Sequence, residues 1–273
     1  APRFPDCPGS QVIPPIARLP DYPLTRLPDC PYCPIAHIEP GFISLEMVPV
    51  QVGKDMVGRA YVTGGNIERK AASWKRAIQP HARHPFDLQA DKTALLVVDM
   101  QRYFTQAGSH AYLPAVDAIL PRIQEMMAAF REHRRPVIFT RHSHRPGEEG
   151  VLGVWWKDTI RDTTEESRLD SRLEVSGSVI LRKTRYSAFI GTDLYARLWR
   201  LGIRTPVIAG VMTHLCCEST AREAFMRDLQ PVVLMDATAT QDEALHIASL
   251  RTMSNGFAEV LTCEDLKRRL GWE

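Results

Sequence analysis

Pro206-Val-Ile-Ala-Gly-Val-Met-Thr-His-Leu-Cys-Cys-Glu-Ser-Thr-Ala-Arg-Glu-Ala-Phe225 changes period halfway along, and that change decides the fold. The apolar run ending at Gly210 is short and branched, as in a strand buried on both faces, whereas from Cys216 onward the residues follow helical spacing. A buried strand that feeds a helix is half of a crossover unit. Working outward, further short apolar runs lie at Thr93–Val98, Pro136–Thr140, Ser178–Leu181, Pro206–Ala209, Pro231–Met235 and Ala258–Leu261. Between and after them, helical periodicity marks Leu113–His133, Asp193–Leu201, Cys216–Leu229 and Asp242–Asn255. Strands alternating with helices predict right-handed crossovers, hence an α/β fold of three layers with a mostly parallel six-stranded sheet in a domain spanning residues 91–273.

The rest of the chain sets limits. A length of 273 residues at 44% hydrophobic composition supports a substantial core and excludes a minimal peptide-binding module. With 34 Lys and Arg against 32 Asp and Glu, no long-range field gathers nucleic acid or an anionic membrane, so a small-molecule partner is expected. No apolar run approaches the roughly 18 to 20 residues of a membrane span, and Ala1–Asp6 is no basic leader, so a soluble, cytoplasmic protein is expected. The six cysteines, two of them adjacent, read as free thiols.

Residues 1–90 read as an N-terminal extension. Eleven of the twenty prolines fall in residues 1–40, which predicts a proline-rich arm lying over its own subunit or a neighbour's. Phe42–Val52 suits a strand or two and Asn66–Ile78 a helix; no function attaches to either. Cys30-Pro-Tyr-Cys33, with Cys7 and His37 nearby, has the ligand types for structural zinc, but its spacing and prolines are unlike a zinc knuckle. Zinc there is the minority expectation, and a redox-active dithiol ranks below it.

In parallel sheets, chemistry collects at the carboxyl ends of the strands. Asp99 directly follows Leu95-Leu-Val-Val98, Lys183 closes the run Val179-Ile-Leu181, and Cys216 opens the helix after Gly210. Taken singly, Asp99 suits a turn or cap, Lys183 a solvated strand end, and Cys216 a packing position like that of Cys217. Taken together they set a carboxylate, an ammonium and a thiol at three strand ends, a combination that points to covalent catalysis. A thiol in the first helical turn is further expected to have a depressed pKa, and the N–H groups there can hold an oxyanion.

Three motifs resemble the isochorismatase-like cysteine hydrolases, a group that includes nicotinamidases, N-carbamoylsarcosine amidohydrolase and ureide amidases. Ala94-Leu-Leu-Val-Val-Asp-Met-Gln-Arg-Tyr-Phe104 is similar to the family's opening strand with its catalytic Asp. Lys183-Thr-Arg-Tyr-Ser-Ala-Phe-Ile-Gly-Thr-Asp-Leu194 and Gly210-Val-Met-Thr-His-Leu-Cys-Cys-Glu-Ser-Thr-Ala-Arg-Glu-Ala224 follow in family order. The resemblance covers residue 91 to about residue 270 and selects Cys216 over Cys217. It implies a non-proline cis peptide at Val211–Met212, with Asp99 as base, Cys216 as nucleophile and Lys183 as electrostatic partner. The backbone N–H groups of Met212 and Cys216 are then the oxyanion hole, and an amidohydrolase of non-peptide C–N bonds follows, acting through a thioester on a small amide, ureide or N-carbamoyl compound. It also implies a homo-oligomer, dimer or tetramer, with the N-terminal arm at the interface.

The pattern departs from nicotinamidase where those enzymes carry Asp-x-His of a metal site. Here Thr140-Arg-His-Ser-His-Arg-Pro146 puts His142 in the place of the Asp, which argues against nicotinamidase itself. His142 and His144 offer two ligands for zinc with no third evident. The favoured expectation is no cofactor and no metal, with these histidines, and Arg141 or Arg145, lining the substrate pocket or sitting in a solvated loop. Tyr103, Phe104 and Phe189 are further substrate-binding candidates; Trp155, beside Trp156, suits either the pocket or packing. The alternatives are an isochorismatase-type vinyl ether hydrolase, against which Cys216 argues, and a non-enzymatic oligomeric scaffold.

Overall fold

A computed structural model describes residues 60–272 except 84 and 157. The proline-rich arm, the expected strands at Phe42–Val52 and the Cys30/Cys33 pair lie outside the described residues. The element order is α1 (Ile67–Ile78), β1 (Thr93–Val98), α2 (Arg102–Thr105), α3 (Val116–Glu132), β2 (Val137–His142), α4 (Val151–Trp156) and β3 (Val179–Lys183). It continues with α5 (Leu194–Arg200), β4 (Thr205–Val211), α6 (Glu218–Met226), β5 (Val232–Ala239), α7 (Glu243–Gly256), β6 (Glu259–Leu261) and α8 (Cys263–Leu270).

The six strands form one sheet in the order β3-β2-β1-β4-β5-β6, and every pairing is parallel. β1, β4 and β5 are buried along their whole length, which is why their sequences read as continuous apolar runs. Right-handed crossovers put α3, which leads from β1 to β2, on one face, and α5, α6 and α7, which lead the other way, on the opposite face. α3 and α8 pack on β5, while α1 packs on α7 and on β5. Strand order reverses between β1 and β4, and the crevice at such a switch point is where ligands of open α/β sheets bind.

The helix expected at Asn66–Ile78 forms as α1. Ile67, Ala71, Trp74 and Ile78 recur every three or four residues and are buried in the same core as the sheet. No helix among the described residues is long and apolar enough to cross a membrane. Cys216, Cys217 and Cys263 are free thiols, as read from the sequence.

Candidate active site

At Gly210 the β4 backbone turns so that a side chain would point into β1. Gly210 pairs with Val98, has φ +112°, and a Cβ placed on it would come 2.1 Å from the Val98 carbonyl oxygen. Only glycine fits such a contact. On the other strand the chain leaves β1 through Asp99 at φ 49°, a left-handed conformation that costs about 1–3 kcal/mol in a non-glycine residue. Thr140 of β2 holds that conformation from the side. Its hydroxyl donates to Asp99 Oδ1 at 2.7 Å and accepts from the Asp99 backbone N–H at 3.1 Å.

Lys183 reaches this carboxylate from β3 across the end of β2. Its Nζ lies 2.7 Å from Asp99 Oδ2, and both side chains are 0% exposed. The same ammonium donates to Cys216 Sγ at 3.2 Å, to the Arg185 carbonyl at 2.9 Å, and meets His142 Nδ1 at 3.1 Å. The three N–H groups thus match three acceptors, His142, Arg185 and Cys216, while Asp99 is met as an ion pair, which pins the charged head in place. His142 is Lys183's partner in the β2–β3 register. Burial first, then the neighbouring Lys183, His144 and Arg185, hold the His142 imidazole well below its ordinary pKa, so it is neutral and its Nδ1 accepts.

Cys216 does not sit in the first turn of an α-helix. Between β4 and α6 the chain makes a single π turn, Thr213–Cys217, in which the Cys217 N–H reaches back to the Met212 carbonyl at 3.2 Å. The Val211–Met212 peptide bond is cis, as the resemblance implies. The turn is braced from behind by α7: Ser249 Oγ donates to the Thr213 carbonyl at 3.2 Å, and Thr213 Oγ1 lies 3.0 Å from His246 Nδ1. Trp74 of α1 meets His246 edge-on at 4.5 Å, so the helix before the sheet supports the turn that carries the thiol. His214, the other histidine near the thiol, is 2.6 Å from Thr240 Oγ1 instead.

The expected depression of the Cys216 pKa is corrected by its surroundings. Burial pushes the thiol up to about 12, and although Lys183 pulls it down, Asp99 adds to the rise. The helix-terminus argument fails because desolvation of the thiolate outweighs the nearby positive charge. Burial likewise acts to lower the pKa of Lys183, but Asp99 and Cys216 together overcome it and leave the ammonium raised. The arrangement is therefore an ion pair touching a protonated thiol.

Asp99, His142 and Cys216 are a group of metal-capable residues whose ligand atoms lie within 4.8 Å of one another. They do not fit a cation, because the Lys183 ammonium is already bonded to all three. His144 is turned elsewhere: its Nε2 meets the Thr184 carbonyl at 2.9 Å, while its buried Nδ1 has no partner among the described residues. The two imidazoles touch at 4.8 Å, edge to face.

Of the remaining candidates, Tyr103 and Phe104 stack edge-to-face on α2, just past Asp99, and Tyr103 Oη lies 3.1 Å from His110 Nε2. Phe189 is buried under the Arg227 guanidinium at the far end of α6 from Cys216, and Trp155 stands 76% exposed on α4. Neither joins the cluster. A cavity of about 630 Å³ between α1 and the end of α7, walled by Ile78, Phe86 and Phe257, is lined by none of Asp99, Lys183 and Cys216. Sequence reading missed Thr140 and the bracing pair His246 and Ser249. Gln101, which follows Asp99 and Met100 in the first motif, clamps the end of β2 with its amide, accepting from His142 N at 2.7 Å and donating to the His142 carbonyl at 2.9 Å.

The chain is similar to known proteins in sequence and in fold. Nicotinamidase 3 of Arabidopsis thaliana is 37% identical over 207 residues, covering 73% of this chain and 98% of that protein. Ureidoacrylate amidohydrolase of Methylorubrum extorquens is 30% identical over 207 residues, covering 66% of this chain and 84% of its own length. The crystal structure of a cysteine hydrolase from Pseudomonas syringae pv. phaseolicola superposes with a TM-score of 0.66 at 27% identity, over 70% of this chain and 97% of the other. Residues 93–265, which run from the first strand to the last helix and carry Asp99, Lys183 and Cys216, match the isochorismatase domain, and the chain belongs to that family.

Proposed function

We propose that the protein is a cysteine-dependent amidohydrolase that splits a non-peptide C–N bond of a small amide, ureide or N-carbamoyl compound. The observation that carries this reading is the buried Lys183 ammonium in contact with both the Asp99 carboxylate, at 2.7 Å, and the Cys216 thiol, at 3.2 Å. A scaffold has no use for a fully buried ion pair at a strand-order reversal, since burying charge costs several kcal/mol per ion before pairing, roughly. Relatives named as a nicotinamidase and a ureidoacrylate amidohydrolase act on C–N bonds of this type.

In the mechanism, Asp99 takes the Cys216 proton as the thiolate attacks the substrate carbonyl. Lys183 stays charged throughout and stabilises first the carboxylate, then the thiolate as it forms. The backbone N–H groups of Met212 and Cys216 hold the oxyanion. Asp99 returns its proton to the departing nitrogen, the amine leaves, and a thioester remains on Cys216. Water, deprotonated by Asp99, then attacks the thioester and frees the acid. Because burial raises the Cys216 thiol, the nucleophile forms as its proton passes to Asp99 and does not stand as a free thiolate beforehand.

Ammonia or amine release from a panel of small amides, ureides and N-carbamoyl compounds, nicotinamide included, tests the reading. Release that Cys216→Ala abolishes is expected. Release that survives that substitution contradicts it.

A further inference from the structure

The isochorismatase domain spans residues 93–265, so Tyr61 and all of α1 come before it. Two residues of α1 nevertheless clasp one carboxylate at the first residue of α7. Lys70 Nζ donates to Glu243 Oε2 at 2.6 Å, and Trp74 Nε1 donates to Glu243 Oε1 at 2.8 Å. His246 follows one turn later on the same face of α7. It is completely buried, with its ring edge-on to Trp74 at 4.5 Å and tilted against Tyr61 at 5.8 Å. Burial lowers the His246 pKa to about 4, so the imidazole is neutral near neutrality.

Two separate contacts carry this packing to the turn that holds the nucleophile. His246 Nδ1 lies 3.0 Å from Thr213 Oγ1. The Tyr61 hydroxyl accepts from the Thr240 N–H at 3.2 Å, and Thr240 Oγ1 lies 2.6 Å from His214 Nδ1. Thr213 and His214 open the π turn, directly after Met212, and Cys216 is its fourth residue. Such turns are rare and concentrate at functional sites, so the contacts that hold this one bear on the site's chemistry.

We propose that His246 is a positioning residue for the reaction and that α1, outside the family domain, acts through it. By fixing Thr213, His246 keeps the Met212 and Cys216 N–H groups aimed at the oxyanion and keeps the Cys216 thiol buried beside Lys183. This rests on the amidohydrolase reading for the oxyanion, but not for the burial of the thiol. An oxyanion develops only as the reaction proceeds, so loss of the brace lowers kcat and leaves KM unchanged.

Two readouts that move in opposite directions test this in the full chain. The first is turnover of whichever small amide the protein hydrolyses. The second is alkylation of Cys216 by iodoacetamide near neutrality, scored by peptide fragmentation that separates Cys216 from Cys217; it needs neither substrate nor oxyanion. His246→Leu should lower kcat about tenfold, the equivalent of one buried hydrogen bond, with KM unchanged. Alkylation should instead become several-fold faster, because a loosened turn exposes the thiol and relaxes its raised pKa. Thr213→Val removes the same bond from the other partner and should reproduce both changes, which covers a failure of His246→Leu to fold. His246→Asn, which keeps a polar group in reach of Thr213, should restore most of both. Trp74→Leu, or Trp74→Phe where the first does not fold, should give smaller changes of the same two signs. Combined with His246→Leu it should add little, since both act on one contact.

A merely structural His246 predicts lower melting temperatures with kcat and alkylation unchanged in the folded protein, and that result overturns the proposal. So does a Trp74 loss that multiplies in full with that of His246→Leu. If no amide is turned over, the amidohydrolase reading fails, while the alkylation rates still decide whether His246 and α1 hold the turn.

Discussion

Two Asp–Cys pairs are built into this sheet, and they have different fates. At the end of β1, Asp99 faces Cys216, with the Lys183 ammonium bonded to both. Within β5, Asp236 accepts from the backbone N–H of Cys263 at 2.9 Å, at the first residue of α8. Both thiols are buried and both are raised by burial, Cys216 to about 12 and Cys263 well above its ordinary value. What differs is the cation. Burial pushes the Asp236 carboxyl up, opposed by its bonds to Cys263 and by Arg122 at longer range, whereas Asp99 has an ammonium in direct contact. On the proposed mechanism a carboxylate beside a thiol is not enough for chemistry, and the lysine is what separates the reactive pair from the structural one.

The comparison breaks most visibly at the thiols. Cys216→Ala should lower amide turnover by about 10⁴-fold or more, the scale seen when a covalent nucleophile is removed, while Cys263→Ala should leave steady-state rates within about twofold. Next in size is the lysine. Lys183→Met leaves Asp99 as a buried, unpaired charge and should cost about 3–5 kcal/mol in a denaturant titration, with activity lost. Asp236→Asn keeps an acceptor for the Cys263 N–H and should cost about 1 kcal/mol or less.

A smaller effect follows from pH. Because burial raises the Cys216 pKa from about 9 to about 12, the folded protein holds this proton when the unfolded chain has released it. The associated stability is fully present below pH 9 and is lost as the pH rises toward 12. Thermal melts across that window should fall less steeply for Cys216→Ala than for the parent protein. Alkylation of Cys216 by iodoacetamide should be slow near neutrality and keep climbing past pH 9, without the plateau of an ordinary thiol. The smallest effect is at Thr140, whose hydroxyl makes both bonds to Asp99. Thr140→Val should reduce kcat by roughly tenfold, the equivalent of one buried hydrogen bond, with KM little changed.

The sheet was legible because its central strands are buried on both faces: five of six expected runs lie within about two residues of the observed strand start and end, and β5 runs furthest past its apolar stretch, from Met235 on to Ala239. It does so because Asp236 and Thr238 are polar yet buried, and polarity is what ends a run on paper. Asp99, Lys183 and Cys216 were legible because each stands at the edge of a strong periodic element. The π turn left no mark, since Thr213-His-Leu-Cys-Cys217 has no composition that separates it from an α-helical start. The Cys216 pKa went astray for the same reason: a helix terminus can be read from sequence, but the depth at which it is buried cannot. The bracing of that turn by His246 and Trp74 joins residues 172 positions apart, a contact that only the folded sheet creates.

Rapid chemical quench of the enzyme with a turned-over amide, followed by intact-mass and peptide mass spectrometry, tests the central claim most directly. The account predicts an acyl adduct of the substrate's acid portion on the peptide that carries Cys216, absent from Cys216→Ala and never on the Cys263 peptide. Turnover with no adduct on Cys216 at any quench time, together with activity retained in Cys216→Ala, would contradict it.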